Sequence, residues 1–400
     1  MPIEAEAEAP APSWDAYEIA SRADPHAGWH EVRERDPLVQ TADGVWLATS
    51  HDLVDRILKD ARFGAGSGVA ASFGAREGRA ARVMETWLMS RDGAPHDRAR
   101  ALVRRSFTPR AILAITSRIQ HVVDARIADV REGLGSGVVD LVDRLAFAVP
   151  SDVMRDLFEV DPETWRRFES LVRDLPDEPG ASLAMIDGLA EAFEERLKRP
   201  GGATGLLDAL GRPDDDDARL TPEEIVANAV LLLTAGIDTT AGLIASAIHL
   251  VLDRPSIRDR IAGEPGFAAS VVEETLRFES PALSCSRCAL VDLEIDGRRI
   301  ETGANVLLGL AAANRDPARF PDPDTFDPDR DGTGVLAFGG GRHHCLGAPL
   351  ARLEARLVLE ALFAPEHVAL ARVEEATWQV RNPTVRALER LPVRTEGGRT

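Results

Sequence analysis

Residues 338–347 read Phe338-Gly339-Gly340-Gly341-Arg342-His343-His344-Cys345-Leu346-Gly347. The chain continues Ala348-Pro349-Leu350-Ala351-Arg352-Leu353-Glu354-Ala355-Arg356, a run of helix formers. This order sets a cysteine between a glycine-rich loop and a helix N-terminus. Free backbone N–H groups and the helix dipole there favour a thiolate. Glycines lack a Cβ, so the loop can turn sharply and lie close against a flat group. An aromatic ring seven residues before the cysteine shields the sulfur from water. The plainer reading of a lone cysteine among glycines is an inert buried thiol. The joint spacing of Phe, Gly, Cys and Gly, with a helix start behind it, speaks against that reading.

A second segment breaks local rules in the middle of a helix. Thr221-Pro222-Glu223-Glu224 is a capping box with proline at the first helical position, and Asp253-Arg254-Pro255 marks the far end. The helix between them is about thirty residues, on the order of 45 Å. It is apolar nearly all round, as expected of a helix that runs through a core. A transmembrane span is the competing reading of 226–252, but Asn228, Asp238, Thr239, Thr240 and His249 make it costly. At its centre lies Ala235-Gly236-Ile237-Asp238-Thr239-Thr240. Glycine and paired threonines are poor helix interiors, and a buried carboxylate needs partners. Rules broken at such a place point to function. Gly236 is expected to leave room for a diatomic ligand, Thr239 to offer a hydroxyl or bond the backbone, and Asp238 to relay protons through water.

Further motifs follow in order. His96 and Arg100 stand one helical turn apart, before Ser106-Phe107-Thr108-Pro109-Arg110 closes that helix. Glu274-Thr275-Leu276-Arg277 sets opposite charges at i and i+3, facing one another. Ala311-Ala312-Ala313-Asn314-Arg315-Asp316-Pro317 precedes the cysteine loop. Each alone suits a surface helix or a structural turn. Together, from about residue 25 to 395, they resemble the cytochrome P450 family, whose haem-ligand signature is Phe-x-x-Gly-x-x-x-Cys-x-Gly.

The resemblance implies a mainly α fold with small β-sheets. A large helical domain and a smaller β-rich N-terminal region would bury haem b (iron protoporphyrin IX) between the long helix and the cysteine loop. Cys345 would be the axial thiolate and the metal ligand, in a loop shaped by Phe338, Gly339 and Gly347. His96, Arg100, Arg287 and His343 would hold the propionates, for which the planar arginine fork is suited. Thr239 with Asp238 would deliver the protons that split dioxygen. Glu274 and Arg277 would lock the thiolate loop. The family often carries arginine where Thr325 stands, leaving Arg330 or Arg319 to complete that ionic cluster. Phe73, Trp87, Leu88, Leu183, Leu232, Ala235, Leu283 and Val385 are the candidate substrate pocket.

The implied activity is a monooxygenase. One atom of dioxygen would enter a hydrophobic small organic molecule by hydroxylation or epoxidation, in bacterial secondary metabolism. No flavin or nicotinamide module follows the cysteine loop, so a ferredoxin and its reductase are the expected electron donors. Arg98, Arg104, Arg105, Arg110, Arg352 and Arg356 would form a basic patch that steers the ferredoxin. One alternative is a haem-thiolate enzyme that uses peroxide or performs a rearrangement; Asp238 and Thr239 argue against it. Another is a non-catalytic haem sensor, which would carry an output module. Cys285-Ser286-Arg287-Cys288 could bind zinc with His343 and His344, or exchange dithiols. In a strand, however, positions 285 and 288 take opposite faces. Cys285 and Leu283 share the face of Arg287, toward the haem.

Composition narrows the classes. With 44% hydrophobic and 28% charged residues, the 400-residue chain is an ordinary globular protein with ample core. A net charge of -19 argues against nucleic acid as partner. Three cysteines make no disulfide framework, which suits a reducing cytoplasm. The acidic N-terminus has neither a secretory h-region nor an anchor, so no membrane partner is expected. Lys59 and Lys198 are the two lysines among 47 basic residues, a bias typical of GC-rich bacterial genes. We expect one monomeric domain over 1–400 with disordered tails at 1–12 and 395–400. Hairpins are expected around Ala42-Asp43-Gly44 and Asp296-Gly297, mostly helix over 109–278, and short strands in 373–393. Gly64–Gly78 and Asp174–Ser182 read as pliable segments covering the substrate.

Overall fold

The capping box forms as its sequence predicts. Thr221 Oγ1 accepts from Glu224 N at 3.2 Å, Glu224 Oε2 accepts from Thr221 N at 3.0 Å, and the helix runs Pro222–Leu252. The coordinates are a computed structural model that describes residues 15–396, apart from 16–17, 20–21, 23, 66–76, 174–180, 199–204, 214–217, 366, 368 and 380–383. The helix is long and apolar enough to cross a membrane, yet protein covers most of it. Helices Arg79–Thr86, Ala148–Phe158, Ala181–Lys198, Phe267–Phe278 and Ala348–Leu362 pack around it. Leu233, Leu243, Ile244, Ile248 and Val251 are no more than 1% exposed. Each such side chain contributes about 1.5–3 kcal/mol by leaving water.

Among the described residues, the helical stretch over 109–278 is broken by short pieces, including a π-turn at Val142–Ala146. Both hairpins are present. Leu38–Gln40 pairs antiparallel with Trp46–Ala48. Leu293–Ile295 pairs with Arg298–Ile300 across Asp296 and Gly297, whose φ values of 48° and 76° make the left-handed turn that matches strand twist. The larger sheet joins the N-terminal strands to two from the second half of the chain. Its strand order is Leu38–Gln40, Trp46–Ala48, Asn305–Leu308, Cys285–Ala289, Phe63–Gly64. Trp46–Ala48 runs parallel to Asn305–Leu308. A parallel pair needs a crossover, and here the whole helical domain supplies it.

Other expectations shift. Gly64 belongs to an edge strand, where a Cβ would fall 2.3 Å from Asp92 Oδ2. Residues 66–76, with Phe73, and 174–180 lie outside the described residues; Ala181 and Ser182 begin a helix. Residues 1–12 and 397–400 are also outside them. Thr395 closes the strand Pro392–Thr395, and Glu396 N bonds Ala369 O, so those two positions belong to the fold.

The pair Glu274–Arg277 fastens the cysteine loop. Arg277 is fully buried and gives each of its guanidinium N–H groups a partner. Nε and Nη2 reach Glu274 at 2.8 and 2.7 Å, Nη1 reaches the carbonyls of Asn314 and Pro323, and Nη2 also reaches that of Thr325. Thr325 thus enters by its backbone. The additional cation is Arg330, with Nε 3.5 Å from Glu274 Oε1; Arg319 instead binds the carbonyl of Thr333. Asn314 carries the constraint onward, since its Oδ1 accepts from Leu336 N at 2.7 Å, two residues before Phe338. Arg277→Met should cost about 3–5 kcal/mol in urea unfolding, because a buried carboxylate and three carbonyls lose their donor. Arg277→Lys should recover little of it, as a point donor cannot serve a fork.

Candidate active site

The cysteine loop takes its shape from two left-handed glycines, Gly339 at φ +65° and Gly341 at φ +63°. Gly341 has no alternative, because a Cβ would lie 2.1 Å from Leu58 O. Gly339 N bonds Leu336 O, and Cys345 N bonds Phe338 O at 3.0 Å, closing the loop, while the Phe338 ring lies 6.5 Å from that of His344. Arg352 lies 4.5 Å over the Phe338 ring while also pairing with Glu273. Gly347 has an ordinary right-handed conformation, and a Cβ there would merely touch Cys345 Sγ at 3.8 Å. Cys345 is reachable by solvent yet surrounded by enough protein that burial raises its thiol pKa. The N–H groups of Gly347 and Ala348 and the charges of Arg100 and Arg352 oppose that rise. These groups are placed to accept an anion on sulfur once a metal cation compensates it.

The long helix opens where its sequence breaks the rules. Residues 224–230 and most of 240–252 are buried, whereas Ala235 and Asp238 are exposed and Leu231, Leu232, Thr234 and Thr239 half-exposed. Their spacing puts them on one face. Asp238 is accessible and still surrounded by protein, and desolvation raises its carboxyl to about 6. Thr239 Oγ1 donates to Ala235 O at 2.7 Å, the backbone bond expected as one option. Gly236 corrects the other expectation: a Cβ there would meet Met154 at 3.1 Å. Its missing side chain admits the neighbouring helix, not a ligand.

Four predicted anion-binding residues come together beside the loop. His96 is fully buried; its Nδ1 meets Asp97 Oδ1 at 2.8 Å, and its Nε2 has no hydrogen-bond partner. Its ring lies 4.4 Å from that of His343. Burial, with His96 and Arg287 nearby, holds His343 near pKa 4 despite its bond to Asp92. Arg100 donates to the carbonyl of His344 at 2.5 Å, and Arg287, 9% exposed, donates to the carbonyl of Ser286. Among the described residues neither arginine pairs with a carboxylate. A buried and a half-buried arginine with an orphaned imidazole nitrogen, beside an accessible cysteine, fit a flat, metal-bearing ligand with carboxylate arms.

Asp92 had not been singled out from the sequence. It precedes the helix Gly93–Arg104 that bears His96 and Arg100, a usual N-cap signal, yet makes no capping bond. Its carboxylate instead takes His343 Nε2 at 3.1 Å and Ala65 N at 2.8 Å, joining the edge strand to the cysteine loop.

Among pocket candidates, Leu283 and Val385 are adjacent, because Ala282 and Val385 form a bridge and Leu283 N bonds Thr384 O at 3.0 Å. Leu232 and Ala235 lie on the open helix face, and Leu183 is half-buried against the same core. Trp87 and Leu88 are buried in the main core; Leu88 N bonds Asn228 Oδ1 on the long helix at 2.9 Å. Cys285 and Cys288 lie on one strand, and no metal-binding group of three or more such side chains occurs among the described residues. The expected basic patch is thinned by ion pairs of Arg98 with Glu224, Arg352 with Glu273 and Arg356 with Glu360. Arg104, Arg105 and Arg110 remain exposed.

Residues 267–365 match the family model described as Cytochrome P450. The chain is 35% identical to the cytochrome P450 monooxygenase PikC of Streptomyces venezuelae, over 94% of this chain and 92% of that one. It is 34% identical to 6-deoxyerythronolide B hydroxylase of Saccharopolyspora erythraea, over 93% and 97%. The solved structure of cytochrome P450 CYP109Q5 from Chondromyces apiculatus superposes with a TM-score of 0.83 at 32% identity, covering 96% of this chain and 98% of that one.

The raised carboxyl of Asp238 has a measurable sign. The folded protein holds this proton more tightly than the unfolded chain does, so stability at this position falls as pH rises from 3.8 through about 6. Asp238→Asn should remove that loss. In urea unfolding, the variant should gain on the wild type as pH rises from 3.8 to about 6 and hold a constant advantage above that.

Proposed function

The chain belongs to the cytochrome P450 family, is a haem-thiolate monooxygenase, and, we propose, oxidises an apolar macrocyclic or polycyclic molecule of bacterial secondary metabolism. The observation that carries the site assignment is the convergence on one loop of Cys345, His96, Arg100, Arg287 and His343. The relatives named above, one of them a hydroxylase of 6-deoxyerythronolide B, support the substrate class. So does the apolar character of Leu232, Ala235, Leu283 and Val385. Whole-length similarity to bacterial P450s supports a single soluble, cytoplasmic domain over 1–400.

Cys345 is the residue that would ligate the haem iron, and His96, Arg100, Arg287 and His343 would hold the propionates. Bound there, haem supplies the dioxygen and electron chemistry by which one oxygen atom enters the substrate. The protein positions, excludes water and moves protons. Backbone N–H groups of Gly347 and Ala348 steady the charge on sulfur, and Phe338 covers it. On the opposite wall, Asp238 titrates close enough to neutrality to take a proton from solvent and release it inward. Thr239 Oγ1, now donating to Ala235 O, would be the hydroxyl that passes that proton on from the helix face. The Asp238 and Thr239 pair is what favours oxygen activation over a peroxide-driven or rearranging enzyme.

Electrons arrive from a separate donor, a ferredoxin with its reductase, at the face where the helix after Cys345 reaches the surface. A groove of about 400 Å³ there is lined by Ile112, Leu113 and Leu353 together with Glu273, Arg352 and Arg356, whose charges are paired, with Arg104 and Arg110 exposed nearby in the chain. Leu113 is 74% exposed. With half the expected arginines already paired, contact is largely apolar, and donor-supported turnover should depend weakly on salt.

Thr239→Ala should divert electrons to hydrogen peroxide, lowering product per electron roughly tenfold or more with haem content unchanged. Unchanged coupling in a peroxide assay would remove Thr239 from proton delivery. Leu113→Glu should raise the KM for an added ferredoxin, while oxidation driven by added hydrogen peroxide stays at the wild-type rate.

A further inference from the structure

Glu279 is a buried carboxylate outside the sites described above. Burial opposes its charge, but His26, Arg386 and Arg315 outweigh that and hold the carboxyl near 2. Arg386 Nε donates to its Oε2 at 3.1 Å, and His26 Nε2 lies 3.4 Å from the same oxygen. Both side chains of the Glu279–Arg386 pair are at most 10% exposed.

What this pair joins gives it a role. Glu279 stands just before Pro281-Ala282-Leu283, and Arg386 just after Thr384-Val385. The two segments lie side by side: Arg386 N bonds Pro281 O at 2.7 Å, Leu283 N bonds Thr384 O, and Ala282 bridges Val385. The Arg386 guanidinium also lies 3.5 Å over the Trp378 ring, which meets His249 of the long helix edge-on at 6.0 Å. Its carbonyl is seated where a Cβ on Gly242 would be 2.7 Å away. One side chain therefore registers the Val385 turn against the Leu283 segment, and its own backbone registers that turn against the long helix.

We propose that Glu279 and Arg386 are positioning residues for substrate selection, setting the separation of Leu283 and Val385 from the open face of the long helix and hence the size of molecule admitted. This rests on the reading of Leu283 and Val385 as pocket residues. A salt bridge that merely stabilised the fold would affect all ligands alike. A bridge that spaces two pocket walls should change preference between ligands of different breadth.

The test uses the haem-loaded full chain and three probes: 6-deoxyerythronolide B, testosterone, and imidazole, which needs only the iron. Dissociation constants come from the Soret shift of wild type, Arg386→Met, Arg386→Lys, Glu279→Gln, Leu283→Ala and Val385→Ala. We expect Arg386→Met and Glu279→Gln to change the ratio of the macrolide and steroid constants by about tenfold, with imidazole binding unchanged. Arg386→Lys should restore most of the wild-type ratio, since a cation is kept beside Glu279. If Arg386→Met fails to take up haem, Glu279→Gln makes the same comparison. An unchanged ratio in both positioning variants, with Leu283→Ala and Val385→Ala shifting it, overturns the positioning role alone. No shift in any of the four overturns the pocket reading and this inference together.

Discussion

Arg277 is the constraint on which the rest of the site depends. A buried guanidinium is tolerable only when its five N–H groups and its charge are all answered. Here Glu274 answers the charge, and the carbonyls of Asn314, Pro323 and Thr325 take the remaining donors. Satisfying one side chain thus gathers three stretches of irregular backbone. Asn314 passes the order to Leu336, and the glycines that follow aim Cys345. The thiolate loop is held by a hydrogen-bond requirement more than by apolar packing.

The site runs against electrostatic comfort on both sides. Beside the cysteine loop, Arg100 and Arg287 stand without a carboxylate partner among the described residues, next to the imidazoles of His96 and His343. On the open face of the helix itself, Asp238 carries a carboxyl that desolvation pushes toward its neutral form. Neither arrangement stabilises the fold by itself. Each makes sense for a ligand that brings negative arms to one region and consumes protons in the other. The remainder of the long helix, buried over most of its length, bears the cost.

Charge shows where counting residues misleads. Six arginines near the cysteine helix suggested a basic patch, yet Glu224, Glu273 and Glu360 pair with three of them. Each pair joins residues that a linear scan cannot match, except the one at i and i+4. What remains is Arg104, Arg105 and Arg110 with a groove that carries a prominent leucine, a smaller basic surface than the one expected.

Much was legible in the chain because it is local. The capping box at Thr221, the left-handed turn at Asp296-Gly297, the glycine loop and the i, i+3 pair of Glu274 and Arg277 depend on residues within a few positions. Their geometry follows from backbone sterics and helical period alone. The tertiary structure decided what depends on contact between distant segments. Arg330, not Arg319, stands beside Glu274; Gly236 faces Met154; Asp92 leaves its helix to join two other elements; strands from both halves of the chain share a sheet. Spacing says which way a side chain points from its own helix or strand. It does not say what the fold brings to meet it, because packing chooses that partner from the whole chain.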